Sequence, residues 1–268
     1  MPAAPLARSR QAVSPKRRDG PLRTFALNVG PSVFAPPHHA GWAQLVTLRS
    51  GSATLRTDRA LAFVTPNVSV WLPAGTRYAL DLHGACAIRI AYVEAEAAPD
   101  RAFGPVAVSR ILGEIVERAT LVGYLDPNVP RDARLIAVAF DELFALAPAD
   151  GAVALTMPRD PRLRAAIDLA VRARDERLAI ADMASTAACS LRSFERTFLR
   201  ETGLTARMWL RRARLGVAAA AIAAGEPVTE AGLSAGYTSP SAFIAAYRSL
   251  FGETPGRARR AAMPVHSE

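Results

Sequence analysis

Arg192 and Arg196 stand four residues apart, the spacing that places two side chains on one face of a helix. A guanidinium fork matches O6 and N7 of guanine, so two forks on one helix face can read base edges in a major groove. They can equally bind phosphate or solvate the helix. Glu195 beside them can accept from N4 of cytosine, or pair with either arginine and orient it. Ser193 and Arg200 fall on the same polar side. Phe194 and Phe198, again four apart, define the opposite, buried side.

These residues belong to a pattern that recurs 49 positions later. Ser190, Phe194, Phe198, Gly203 and Thr205 return as Ser239, Phe243, Tyr247, Gly252 and Thr254. Each copy reads as an N-cap serine, a helix with an aromatic inner face, and a terminating glycine. A short helix precedes each cap, at 180–187 and 228–235, so each copy predicts two helices joined by a tight turn with the second able to enter a major groove. Residues 205–223 predict one connecting helix, whose ~28 Å at 1.5 Å per residue approaches the ~34 Å of a DNA turn. Arg207, Arg211, Arg212 and Arg214 on it suit phosphate or surface roles better than base reading.

The second copy is chemically poorer. Ser241, Ala242 and Ala245 stand where the first has Arg192, Ser193 and Arg196. Alanine offers a thymine methyl contact, Ser239 or Ser241 one base or phosphate contact, and Arg248 a reach to the backbone. This half is expected to dock and read little. Gly232 inside its first helix costs about 0.5–1 kcal/mol relative to alanine, which predicts the less stable of the two motifs.

Residues 161–260 resemble the DNA-binding domain of AraC/XylS-family transcription regulators. The resemblance rests on the run from Glu226 to Arg248 containing Ala-Gly-Tyr-Thr-Ser-Pro-Ser-Ala-Phe, and on Phe251-Gly-Glu-Thr-Pro-Gly-Arg. It implies that Arg192 and Arg196 occupy base-contacting positions. The family usually has a branched residue and alanine where this chain has Ala231-Gly232.

Upstream, closely spaced apolar runs at 44–48, 53–57, 60–64, 68–72, 77–82 and 87–93 predict short strands of a barrel or jelly roll. Gln44 to Gly51 and Val70 to Thr76 resemble the cupin-like sensor half of many members of that family. The expected fold is therefore α+β: an N-terminal cupin-like β-barrel at 22–146 with a helical segment, a linker at 147–160, and an all-α domain with two helix-turn-helix motifs at 161–260. Basic, Pro-rich residues 1–21 predict a disordered tail, and 261–268 a second tail. Helical spacing over 106–125 and 130–146 gives a stripe of Val108, Ile111, Leu112, Ile115 and Val116, which the resemblance makes a candidate homodimer contact. His38, Gln44, Trp71, Tyr78 and Arg89 are candidate effector-lining residues by strand position.

The alternative is a metal-dependent cupin enzyme or metal sensor fused to the DNA-binding domain. The resemblance expects a His-x-His pair and a later His. Here His38 matches the first, but Ala40 and Tyr78 replace the others, so no metal, cofactor or catalysis is expected.

The chain has 33 basic and 24 acidic residues, and Lys16 is its one lysine. Residues 21–160 hold 12 basic and 13 acidic residues, whereas 161–268 hold 16 and 10, placing positive charge where a polyanion would bind. Cys86 and Cys189 lack metal or disulfide spacing. With no long apolar run and no signal-like start, a soluble, cytoplasmic protein is expected. Its expected partners are double-stranded DNA, a small-molecule effector and RNA polymerase, and no membrane.

Overall fold

The computed structural model describes residues 20–37, 39–172 and 180–262. Most of the expected N-terminal tail, His38 and residues 263–268 lie outside the described residues. The elements in chain order begin with β1 (Leu22–Val29), β2 (Val33–Phe34), β3 (Trp42–Thr57), β4 (Ala60–Val64), β5 (Ser69–Leu72), β6 (Tyr78–Glu94) and β7 (Gly104–Ala107). Then come α1 (Arg110–Val122), α2 (Pro130–Phe144), β8 (Ala147–Pro148) and β9 (Ala154–Thr156). The remaining helices are α3 (Pro161–Arg172), α4 (Ile180–Thr186), α5 (Leu191–Thr202), α6 (Ala206–Ala223), α7 (Val228–Ser234), α8 (Pro240–Phe251) and α9 (Pro255–Ala262). The chain divides into a sheet-rich unit, up to Leu55 and from Val64 to Asp150, and a helical unit made of Arg56–Phe63 and the chain from Gly151 onward.

In the sheet-rich unit the strand order is β1-β6-β3-β5-β7-β8, with β2 also on β6. Two pairs of predicted short strands are single long ones. The 44–48 and 53–57 runs are continuous in β3, which bends at Gly51 with φ +80. A Cβ there would lie 2.4 Å from the Ala85 carbonyl oxygen and 2.7 Å from Cys86 Sγ, so glycine lets the strand bend against β6 instead of ending. The 77–82 and 87–93 runs are likewise continuous in β6. Sequence spacing also missed β1, which pairs from Leu22↔Val93 to Val29↔Cys86.

One face of the sheet packs Leu45, Trp71, Ala91, Val93 and Val106 against Leu112, Ile115, Val116, Ala139 and Leu143 of α1 and α2. Val106, expected in a helix, pairs with Ser69 in β7 instead; α1 starts only after Ser109, whose side chain accepts from the Leu112 amide at 3.1 Å. Ile111, expected in the buried stripe, is 55% exposed, and Ala119 completes the face in its place. The opposite face of β6 buries Tyr78, Leu80, Leu82, Ile88 and Ile90. The stretch 147–160, expected as a linker, contains both β8 and β9.

Arg89 and Glu117 tie β6 to α1. Arg89 donates through Nε to Glu117 Oε2 at 2.7 Å and through a terminal nitrogen to Oε1 at 3.0 Å. These hydrogen bonds, with the Arg89 and Arg49 charges, hold the Glu117 carboxyl below the ordinary carboxylate range despite some desolvation. A depressed folded-state pKa contributes stability above the unfolded pKa and loses it as pH falls through the folded one. Glu117→Gln should therefore lower stability by about 1.5 kcal/mol near neutrality. Denaturation midpoints taken at successively lower pH should show the gap between variant and parent closing below the ordinary carboxylate range. A gap independent of pH would refute the assignment.

Candidate nucleic-acid interface

The helical unit is organised around α6, whose 18 residues span about 27 Å. Its first half contributes Trp209, Leu210 and Ala213 to one core, shared with Phe194 and Phe198 of α5, Met183 and Ala184 of α4, and Leu163 and Ile167 of α3. Its second half contributes Leu215, Ala218 and Ile222 to another, shared with Ala231 of α7 and Phe243, Ala246 and Tyr247 of α8. The repeated aromatics are the centres of these cores. Phe194 and Phe198 lie 5.5 Å apart, and Phe198 meets Trp209 edge-on at 6.2 Å. In the second core Phe243 lies 5.8 Å from Tyr247 and 5.5 Å from Tyr237. Burial pushes the Tyr247 hydroxyl pKa well up, so the ring enters the core neutral.

Both caps form as the sequence implies. Ser190 accepts from the Ser193 amide at 3.3 Å and Ser239 from the Ala242 amide at 3.5 Å. Gly203 and Gly252 end their helices in the left-handed region. The preceding turns share a further device: Ala188 (φ 51) and Gly236 (φ 88) adopt the left-handed conformation. The bonds Cys189 N–H to the Ala184 carbonyl, 3.1 Å, and Tyr237 N–H to the Gly232 carbonyl, 3.0 Å, close those turns. Ala188 carries a Cβ in a conformation that disfavours one. Ala188→Gly should raise the stability of this unit by up to about 1 kcal/mol, net of the added freedom of the unfolded chain. A melting temperature that falls would contradict it.

With the aromatic faces buried, Arg192, Glu195, Arg196 and Arg200 are exposed together on α5. Ser193 is only half-exposed, and its hydroxyl oxygen accepts from the hydroxyl of the capping Ser190 at 3.0 Å. Among the described residues Glu195 forms no ion pair with Arg192 or Arg196, so both forks are free. Arg192, Glu195, Arg196 and Leu199 line an open cleft of about 670 Å³ with Ile180 and the start of α6, Thr205 to Arg207. Arg207, set aside by spacing as a phosphate or surface residue, thus shares a wall with the two predicted base readers. Arg200 faces Glu201 at 3.6 Å.

On α8, Ser241, Ala242, Ala245 and Arg248 are exposed, and Ser239 is exposed at its cap. Gly232 has a packing reason that its helix propensity hides. A Cβ there would lie 3.0 Å from the Phe243 ring, so the glycine admits the aromatic that holds α8.

Glu201 was not legible from spacing. Its Oε2 accepts the backbone amides of Arg159 at 2.7 Å and Asp160 at 3.1 Å, anchoring the entry to α3 from the end of α5.

The candidate effector residues divide between two faces of the sheet. Gln44 pairs with Leu72 across β3 and β5, whereas Trp71 pairs with Leu45 and joins the core under α1 and α2. Arg89 is engaged by Glu117. Tyr78 and Gln44 do meet: the Tyr78 hydroxyl donates to Gln44 Oε1 at 2.9 Å, and both are buried. Desolvation, with the neighbouring Tyr92, pushes the Tyr78 pKa well up. Tyr92 is itself pushed up to about 12 and is met edge-on by His39 at 5.4 Å. His83 Nε2 lies 2.8 Å from the Thr54 hydroxyl.

Capped helices on aromatic cores, joined by tight turns and exposing arginine forks, define a helix-turn-helix DNA-binding protein. Residues 183–261 match the family model described as a helix-turn-helix domain. Over 247 residues, 91% of this chain and 89% of the relative, the chain is 26% identical to the HTH-type transcriptional regulator NimR of Escherichia coli (strain K12). Among solved structures it is similar to an AraC-type transcriptional regulator of Chromobacterium violaceum, 26% identical over 39% of this chain and 95% of that one, TM-score 0.37. It is also similar to ToxT of Vibrio cholerae O395, 12% identical over 91% of this chain and 99% of that one, TM-score 0.42. The chain thus carries a helix-turn-helix domain over residues 183–261 and is similar along most of its length to a DNA-binding transcription regulator.

Proposed function

We propose that the protein is a one-component cytoplasmic regulator in which two helix-turn-helix motifs, α4–α5 and α7–α8, read successive major grooves and a cupin-like N-terminal domain senses a small molecule. The observation that carries it is the pair of free forks, Arg192 and Arg196, exposed on a helix whose other face is buried by Phe194 and Phe198. Arg196 and Arg192 read bases, Glu195 selects or orients, and Arg200, Arg207 and Arg248 hold phosphates. α8 presents small side chains and docks more than it reads.

The effector is taken beside the Gln44–Tyr78 pair, a neutral hydrogen-bonding couple set in apolar surroundings. A second copy of the chain covers α1 and α2, where Ile111, Leu121, Val122 and Phe144 are exposed. Effector state then alters how paired readers meet their half-sites and RNA polymerase. Among the described residues no group of three His, Cys, Asp or Glu side chains could hold a metal ion, and no helix is long and apolar enough to cross a membrane.

The test is selection of binding sites from random duplex DNA with the full chain, followed by a salt series. The full chain is needed because a fragment from Gly151 onward lacks Leu61 and Phe63, which belong to the helical core. Six or more phosphate contacts should cost about 10³-fold or more in affinity between 50 and 200 mM salt. Salt-insensitive binding, or no enriched sequence, would sink the reading.

A further inference from the structure

Eight residues of the helical unit, Arg56–Phe63, are flanked on both sides by strands of the sheet-rich unit. Their tip is a tight turn in which Thr57 Oγ1 accepts the Arg59 and Ala60 amides at 3.1 and 2.9 Å. From there β4 runs antiparallel to β9, pairing Ala60↔Thr156, Leu61↔Leu155 and Ala62↔Ala154, and the Met157 amide donates to the Arg59 carbonyl at 2.8 Å. Leu61 and Phe63 are buried in the same core as Phe194, Phe198 and Trp209. The Thr156 carbonyl, on the strand paired with β4, accepts the Trp209 indole N–H of α6 at 2.8 Å.

The closest approach is at Gly216, midway along α6. A Cβ there would stand 2.0 Å from one carbon of the Phe63 ring and 2.3 and 2.4 Å from two others. The ring lies flush on the helix backbone, in space that only glycine leaves open. Gly216 sits beside Leu215, the first buried α6 residue of the second core, while Ala213 is the last buried α6 residue of the first, against which Val217 also packs. Phe63 therefore grips α6 between the two motifs.

We propose that Arg56–Phe63 is a coupling strap: a hairpin that folds as part of the DNA-reading unit, holds α6 at Gly216, and carries the state of the sheet-rich unit to α6 through its two covalent connections, Leu55–Arg56 and Phe63–Val64. A strand shift in β3 of the sheet-rich unit then moves the element that sets the spacing of α5 and α8. Only the consequence for DNA rests on the proposed reader; membership of the strap in the helical unit does not.

Native-state hydrogen exchange of the full chain in rising urea tests both parts. Without DNA, the amides of 60–62 should open with those of α6 and β9 and separately from those of β6. Phe63→Ala should speed exchange of 60–62 and 154–156 on the order of a hundred-fold and leave β6 unchanged. Gly216→Ala should do the same, although alanine is the better helix former, because its methyl evicts the ring. If 60–62 opened with β6, the strap would belong to the sheet and the proposal would fail. With a duplex selected by the full chain, bound DNA should slow exchange at 50–55 in the parent chain but not in Gly216→Ala. Equal slowing in both, or none in the parent while α5 is protected, overturns the coupling. If no duplex protects α5, the DNA-reading proposal fails instead, and the urea series still decides whether the strap belongs to the helical unit.

Discussion

Trp209→Ala is expected to cost the helical unit about 3–5 kcal/mol, the range for truncating a buried aromatic. Trp209 is fully buried, meets Phe198 edge-on, and spends its indole N–H on the Thr156 carbonyl. Truncation opens a cavity beside Phe198 and also leaves a carbonyl on β9 short of its donor. Trp209→Phe separates the two losses: it restores most of the ring volume but not the hydrogen bond, and should cost roughly 1–3 kcal/mol from the unpaired carbonyl and the remaining void. The measurement is chemical denaturation of the full chain, reading the transition of the helical unit, because two units need not unfold as one. DNA binding should fall in proportion to the folded fraction, without a change in preferred sequence. A loss under about 1 kcal/mol for Trp209→Ala would mean that α6 is not held by this core.

The parts of this protein that were legible in the sequence are those whose partners lie within one or two helical turns. Phe194 and Phe198 announce a buried face because four residues bring them together, and Ser190 and Gly203 bracket the helix by local backbone chemistry. The repeat was legible for the same reason. Its first helices and turns are spaced 48 residues apart, Ala188 to Gly236 in the turns, while α5 and α8 are spaced 49, so the second turn is one residue longer, and counting from the aromatics alone hides the matching left-handed positions. Strand existence was legible, strand continuity was not. A glycine in a polar stretch looks like a turn until the opposing strand is known, and at Gly51 the neighbours that demand glycine are the Ala85 carbonyl and Cys86.

Parity decided the fate of the effector candidates. Once Gln44 faces Leu72, Trp71 must face the other way, and Arg89 lies on the opposite face of β6 from Tyr78. That could have been read only with the register in hand. The strap was the least legible element of all. Leu61 and Phe63 alternate with Ala60 and Ala62 as they would in any half-buried strand, and the helix they grip lies 153 residues further along, from Phe63 to Gly216. Glu201 is similar, since its amide partners at 159 and 160 lie in a segment with no pattern of its own.

The unequal chemistry of the two recognition helices leads to the second large effect. Arg196 is exposed, free of Glu195, and set in the cleft that Arg192 and Arg207 also line. A fork that donates to O6 and N7 of one guanine discriminates by roughly 1–3 kcal/mol against other bases, about a 5- to 150-fold preference. Ala245, at the equivalent place on α8, presents a methyl group and no donor. Arg196→Ala should therefore flatten base preference at one position of one half-site while leaving affinity for sequences already lacking that base nearly unchanged. Arg196→Lys keeps the charge and loses the fork, so it should recover the phosphate-like part of the affinity but not the selectivity. Ala245→Ser should shift preference little at any position. Binding selections on randomised duplexes, run for the parent chain and the three variants at one salt concentration, give all of these quantities together. If Arg196→Ala weakened every sequence by the same factor and lowered the salt slope by about one contact, Arg196 would be a phosphate ligand and base reading on α5 would fall to Arg192 alone.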